Sequence, residues 1–67
     1  MLKNRIRVLR AEREISQQVL AEAVGVSRQT VNSIERGKFN PSVITALKMA
    51  EYFGVPVGEV FHLEEEK

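Results

Sequence analysis

Residues 25–42 read GVSRQTVNSIERGKFNPS, and the punctuation in this stretch marks a turn, a helix and a loop. Ser27 offers a hydroxyl as an N-cap and Gly37 supplies the residue type that closes a helix in the left-handed conformation, so a helix is expected between them. At about 100° per residue, Arg28, Gln29, Asn32, Ser33 and Arg36 fall within an arc of about 140°. Thr30, Val31 and Ile34 occupy the opposite arc, and burial of that side explains why the segment is helical. Burial gives no reason for five polar side chains on the other side.

The preceding residues, SQQVLAEAV from Ser16 to Val24, form a second amphipathic piece. Ser16 is its N-cap, Leu20, Ala21 and Val24 are its buried side, and Gly25 is its stop. Only about three residues then separate the two helices, which forces them to cross steeply. Ala21 is small where the backbones approach, and Val26 plugs the angle. Towards the N-terminus, residues 3–13 carry Ile6 and Leu9 at helical spacing beneath a basic outer face, which predicts a first helix.

Beyond Gly37, KFNP reads as a loop, because Pro41 pushes Asn40 into an extended conformation. Ser42 caps a fourth helix running through Phe53, with Ile44, Leu47, Ala50 and Phe53 expected on its buried face. Gly54 ends it, and after Val55 and Pro56 a short helical turn, VGEVF, supplies Val57, Val60 and Phe61. The core is expected within residues 3–62, with 63–67 a charged, frayed tail. No strand-like alternation occurs, so the reading is all-α, one domain over residues 1–67.

A chain of 67 residues has a marginal core unless most apolar residues are used or a second copy packs against it. The absence of cysteine excludes disulfides, a thiol nucleophile and thiolate metal ligands. The N-terminus MLKNRIRVLRAERE lacks a signal-peptide core, and no apolar run approaches the ~20 residues of a membrane span. These features lead us to expect a cytoplasmic protein without membrane contact.

The net charge of +1 hides an asymmetry. Residues 1–40 hold eight Lys and Arg against four Glu, a net +4, whereas residues 41–67 hold two Lys against five Glu, a net −3. The first part suits a polyanion and the second does not.

A helix, a tight glycine turn and a second helix with a polar face make the helix-turn-helix arrangement. Residues 5–61 resemble the lambda-repressor-like helix-turn-helix family, the phage repressor and Cro type, also called the xenobiotic-response-element family. SQQVLAEAVGVSRQTVNSIERGKFNP followed by ALKMAEYFGVPVGEVF carries the resemblance. The pattern Q-x-x-L-A-x-x-x-G-V-S-x-x-T-V/I-x-x-x-E-x-G fixes many positions at once. The resemblance implies a compact five-helix domain whose third helix enters the major groove of double-stranded DNA.

Side-chain chemistry agrees with that implication. Arginine presents a donor fork to guanine N7 and O6, and Gln or Asn pairs with adenine N7 and N6. Arg28, Gln29 and Asn32 are thus the expected base readers, with Ser33 and Ser27 beside them touching a base edge or a phosphate. The resemblance independently places Arg28, Gln29 and Ser33 against bases. It also makes Gln17 a phosphate-clamping glutamine, in a first helical turn where unpaired N–H groups already favour an anion. Arg36, Lys38 and Asn40 follow the third helix where a loop would run along the sugar-phosphate backbone. Arg5, Arg7 and Arg13 are expected to add only long-range attraction. In the family, an arginine and a glutamate at the positions of Arg10 and Glu35 bridge the first and third helices as a partly buried ion pair, so that pair is expected to be structural.

The remaining candidates carry little. His62 is the only histidine and has no companion ligands, so neither metal nor cofactor is expected. Ser27 with His62 lacks an acidic orienter and an oxyanion feature, and Glu64, Glu65 and Glu66 read as a solubilising end; the chain is not read as an enzyme. A transcriptional regulator, a repressor on a palindromic operator, is expected as a homodimer because one domain contacts too few base pairs for selectivity. Tyr52, Val57, Phe61 and Leu63 are the candidate dimer surface. An antitoxin or accessory subunit with a protein partner is the competing reading, and an interaction module that has lost DNA is a weaker one.

Overall fold

The computed structural model describes residues 1–64. Its elements are β1 (Leu2–Asn4), α1 (Ile6–Arg13), α2 (Gln17–Val24), α3 (Arg28–Glu35), α4 (Val43–Phe53), α5 (Val57–Val60) and β2 (Phe61–Leu63). Five helices carry the fold, as the sequence leads one to expect, and three serines start the central ones. Ser16, Ser27 and Ser42 accept hydrogen bonds through Oγ from the N–H groups of Val19, Thr30 and Thr45, at 3.1, 3.0 and 3.1 Å. Each thereby satisfies a donor that the first helical turn leaves unpaired.

Residues 25–27 form the turn between α2 and α3. Gly25 takes the left-handed conformation with φ +78°, and Val26 is half-buried against the core. At the far end of α3, Gly37 is also left-handed; its N–H bonds to Ile34 O at 3.0 Å and that of Lys38 to Ser33 O at 2.9 Å. This paired closure fixes where the following loop leaves the helix.

Ile6 and Leu9 of α1, Leu20, Ala21 and Val24 of α2, and Val31 and Ile34 of α3 are buried together with Met49, Ala50 and Phe53 of α4 and with Val60 and Phe61. Three expected members of this core are missing. Ile44 and Leu47 are 67% and 53% exposed. Positions 44, 47, 50 and 53 advance three residues at a time, and each step of three falls about 60° short of a full turn, so Ile44 lies about 180° from Phe53. The buried stripe is Ala46, Met49, Ala50 and Phe53, which follows the 3–4 spacing of a helix face. Val57, also expected in the core, is exposed.

The chain ends differ from the sequence reading as well. The first helix begins at Ile6 rather than at residue 3, because residues 2–4 form a strand. β1 and β2 pair antiparallel, with Leu2 opposite Leu63, Lys3 opposite His62 and Asn4 opposite Phe61. Beyond the ladder, Glu64 N–H donates to Met1 O at 2.8 Å and the Met1 ammonium to Glu64 O at 3.0 Å. Leu63 is therefore paired backbone rather than part of a frayed tail; the remainder of that tail, 65–67, lies outside the described residues. Asn4 links this ribbon to the helices: its Nδ2 donates to Ile34 O at 3.0 Å while its Oδ1 accepts from Ile6 N–H at 3.2 Å.

Arg13 also has a structural place. Its guanidinium sits 5.5 Å from the centre of the Phe53 ring and donates to the Phe53 and Tyr52 carbonyls. A cation there satisfies the unpaired carbonyls at the end of α4 and complements its dipole.

Candidate nucleic-acid interface

On α3, Val31 and Ile34 point into the core and leave Arg28 and Gln29 outward, with Asn32 and Ser33 half-buried. Thr30, which periodicity puts on the buried side, is only half-buried, and its Oγ1 lies 2.9 Å from Ser27 Oγ. The Ser27 hydroxyl is thus engaged twice, by the Thr30 side chain and by its N–H. Arg28 and Gln29 take part in no side-chain hydrogen bond among the described residues, so their polar ends are available outside the molecule.

Asn32 and Gln17 behave otherwise. Gln17 Nε2 donates to Asn32 Oδ1 at 3.1 Å and to Glu35 Oε1 at 3.3 Å. Glu35 in turn receives Arg10, whose Nε lies 2.6 Å from Oε2 and whose Nη2 lies 3.1 Å from Oε1. The third donor of that guanidinium, Nη1, reaches Ile15 O at 3.0 Å. The two charged side chains are 16% and 7% exposed, and the fork-on-fork geometry gives a pair of this depth both charge and hydrogen-bond compensation. This network ties α1, α2 and α3 together, and it occupies the Gln17 amide nitrogen and the Asn32 acceptor oxygen.

Around the network lies a cleft of about 290 Å³ lined by Arg7, Arg10, Gln17, Asn32, Glu35 and Arg36. Three guanidinium groups there face one carboxylate, and the carboxylate is already paired with Arg10. Arg7 and Arg36, both exposed, are left to make the mouth of the cleft positive. The sequence gives Arg7 distant attraction only; its spacing on α1 does not reveal that it opens onto the same cleft as Arg36. Lys38 and Asn40, both exposed, continue along the loop after α3.

At the other margin of α3, Ser27, Gln29, Thr30, Ser33, Lys38 and Phe39 line a hollow of about 330 Å³. Phe39 is 55% exposed, and sequence reasoning misses it. The available signal is an aromatic residue in a loop that is otherwise polar. Of the residues offered as a dimer surface, Tyr52, Val57 and Leu63 are on the outside, and Phe61 is 8% exposed and belongs to the core. Val43, Ile44 and Leu47 form an outward apolar row on α4. Among the described residues, no helix is long and apolar enough to cross a membrane.

The shared arrangement of α2, turn and α3 extends to known proteins. A helix-turn-helix family model matches residues 6–60. The HTH-type transcriptional regulator YgzD of Bacillus subtilis is 48% identical over 65 residues, covering 97% of this chain and 98% of that one. The cryptic phage CTXphi transcriptional repressor RstR of Vibrio cholerae is 37% identical over 60 residues, covering 90% of this chain and 54% of RstR. Among solved structures, the restriction-modification controller protein C.AhdI of Aeromonas hydrophila superposes with a TM-score of 0.76 at 36% identity, covering 82% of this chain and 83% of that one. With a match spanning α1 to α5 and relatives such as YgzD aligned along nearly their whole length, this chain belongs to the lambda-repressor-like helix-turn-helix family.

Proposed function

We propose that this chain is a sequence-specific transcriptional regulator of double-stranded DNA, a repressor that acts in the cytoplasm on nucleoid DNA and binds a palindromic operator as a homodimer. The observation that carries the reading is the outer face of α3, where Arg28 and Gln29 stand exposed with their hydrogen-bonding ends unused. Its support includes relatives named as transcriptional regulators and repressors.

In this reading α3 lies in the major groove. Arg28 pairs with guanine, and Gln29 takes the bidentate contact to adenine. Asn32 is the weaker adenine reader, since its acceptor oxygen already serves Gln17, and it offers a donor. Of the two hydroxyls, Ser33 is freer than Ser27, whose bonds to Thr30 are made.

Phosphates are held on both flanks. Arg36, Lys38 and Asn40 follow one strand; Arg7 and the first backbone N–H groups of α2 hold the other. Gln17 contributes through its backbone and by fixing Asn32, because its side-chain donors are spent on the network. The dimer contact uses apolar residues that the fold leaves outside, Tyr52, Val57 and Leu63, together with the row Val43, Ile44 and Leu47.

Selection of bound duplexes from a random pool at moderate salt tests the reading, because phosphate-only binding fades with salt while base contacts persist. The expected result is an inverted repeat with half-sites about 34 Å apart. A single enriched half-site would remove the homodimer, and enrichment of nothing at any salt would remove DNA binding in favour of a protein partner.

A further inference from the structure

Among the described residues, Phe39 is the one large aromatic ring that the fold places outside beside the polar face of α3, directly after the closed end of that helix. Gly37 and the bond from Lys38 N–H to Ser33 O set the direction in which the loop leaves α3, and Pro41 follows two residues later. The ring forms one wall of the hollow whose other walls are Ser27, Gln29, Thr30, Ser33 and Lys38. An ammonium and several hydroxyl and amide groups thus surround a single apolar surface. With 55% of the residue exposed, this ring adds little to the core, while apolar area left in water forgoes stabilisation.

The chemistry of a duplex limits what such a ring meets. Bases in an intact helix are stacked, so only their edges face the major groove, and those edges carry donors, acceptors and one apolar group, the C5-methyl of thymine. The same methyl occurs on 5-methylcytosine. We propose that the hollow between Phe39 and the Gln29–Thr30–Ser33 edge of α3 is a C5-methyl-pyrimidine pocket, filled by thymine, that makes Phe39 a specificity-determining residue. This inference rests on the DNA-binding reading above. Lys38 at the rim meets the phosphate of the same strand, and Gln29 reads the base pair beside the methyl.

The test starts from the duplex selected with the unaltered protein and replaces each thymine in turn by uracil, which removes only the methyl group. Burial of one methyl is worth about fourfold in affinity. We expect one position per half-site at which uracil weakens binding about fourfold for the parent and by less than about 1.5-fold for Phe39→Ala. The thermal midpoint of Phe39→Ala should match the parent, as befits an exposed side chain. A parallel series carrying 5-methylcytosine at each cytosine identifies the source of the methyl; tighter binding there, lost in Phe39→Ala, with no uracil-sensitive thymine, would replace thymine as the occupant.

A selected duplex whose uracil penalties are identical for both proteins would overturn the pocket and leave the DNA-binding reading intact. Failure to select any duplex would overturn both. A Phe39→Ala chain that loses self-association rather than methyl discrimination would assign the ring to the dimer contact instead.

Discussion

Glu14 is the described non-glycine residue with a positive φ, +55° with ψ +43°. It closes α1 in a conformation where a Cβ crowds the following carbonyl, at a cost of roughly 1–2 kcal/mol. Glycine removes that crowding but loses about 0.5–1 kcal/mol of chain entropy. Glu14→Gly should therefore gain about 0.5–1 kcal/mol and raise the melting midpoint by about 3–6 °C, whereas Glu14→Ala should gain nothing. Equal midpoints for the two variants in a thermal melt would show that the site is unstrained. Nothing in REIS at 13–16 announces this turn. The glycines at 25, 37 and 54 do announce theirs, and each is left-handed. A glycine carries its conformational preference locally; a glutamate adopts this one because Ile15 must reach the core on the next step.

Among the helices, the serine caps are legible in the sequence because each requires only a hydroxyl three residues from an N–H. The face of α4 is not, since Ile44 and Leu47 are as apolar as the residues that replace them inside, and only the phase of the whole helix decides between them. The ribbon of β1 and β2 is invisible for another reason. Its three-residue strands have no pattern of their own and exist because the fold brings residues 2 and 63 together. Arg10 and Glu35 make a firm prediction at this level. Truncating Arg10 to alanine leaves the Glu35 carboxylate, 7% exposed, with Gln17 as its remaining side-chain partner, and should cost about 3–5 kcal/mol. Replacing both partners, Arg10→Met with Glu35→Leu, should recover most of that loss, because the uncompensated charge is then gone. Urea unfolding measures both; a single variant as stable as the parent would show that the pair contributes nothing.

At the scale of the described molecule, the acidic second part of the sequence meets the basic first part where Glu64 lies 3.9 Å from Lys3, but the positive cleft belongs to the first part alone. The cleft beside α3 draws its guanidinium groups from residues 7, 10 and 36, all in the basic first part. Which arginines share a cleft depends on how α1 packs near α3, and so the role of Arg7 has no local signature. The proposed interface predicts two distinguishable kinds of variant. Arg36→Ala and Lys38→Ala should weaken binding to all duplexes alike and flatten the plot of log affinity against log salt by about 0.9 for each phosphate that is no longer neutralised, twice that in a homodimer. Gln29→Ala should leave the slope unchanged and relax the preference at one base pair by about 1–3 kcal/mol. Binding isotherms across a salt series separate the two, and a slope that Arg36→Ala does not alter would take that residue off the phosphate path.

The pairing of Met1 with Glu64 makes the backbone almost a ring already. A variant that stops at Glu64 and is closed onto Met1 through a short Gly/Ser linker would keep this pairing, yet would deny the unfolded chain most of its end-to-end freedom. By loop-closure entropy the circular molecule should be more stable by about 4 kcal/mol, with α3 and its flanking loop untouched. An unfolding midpoint no higher than that of the linear chain would mean that the two ends already stay together after the helices have melted.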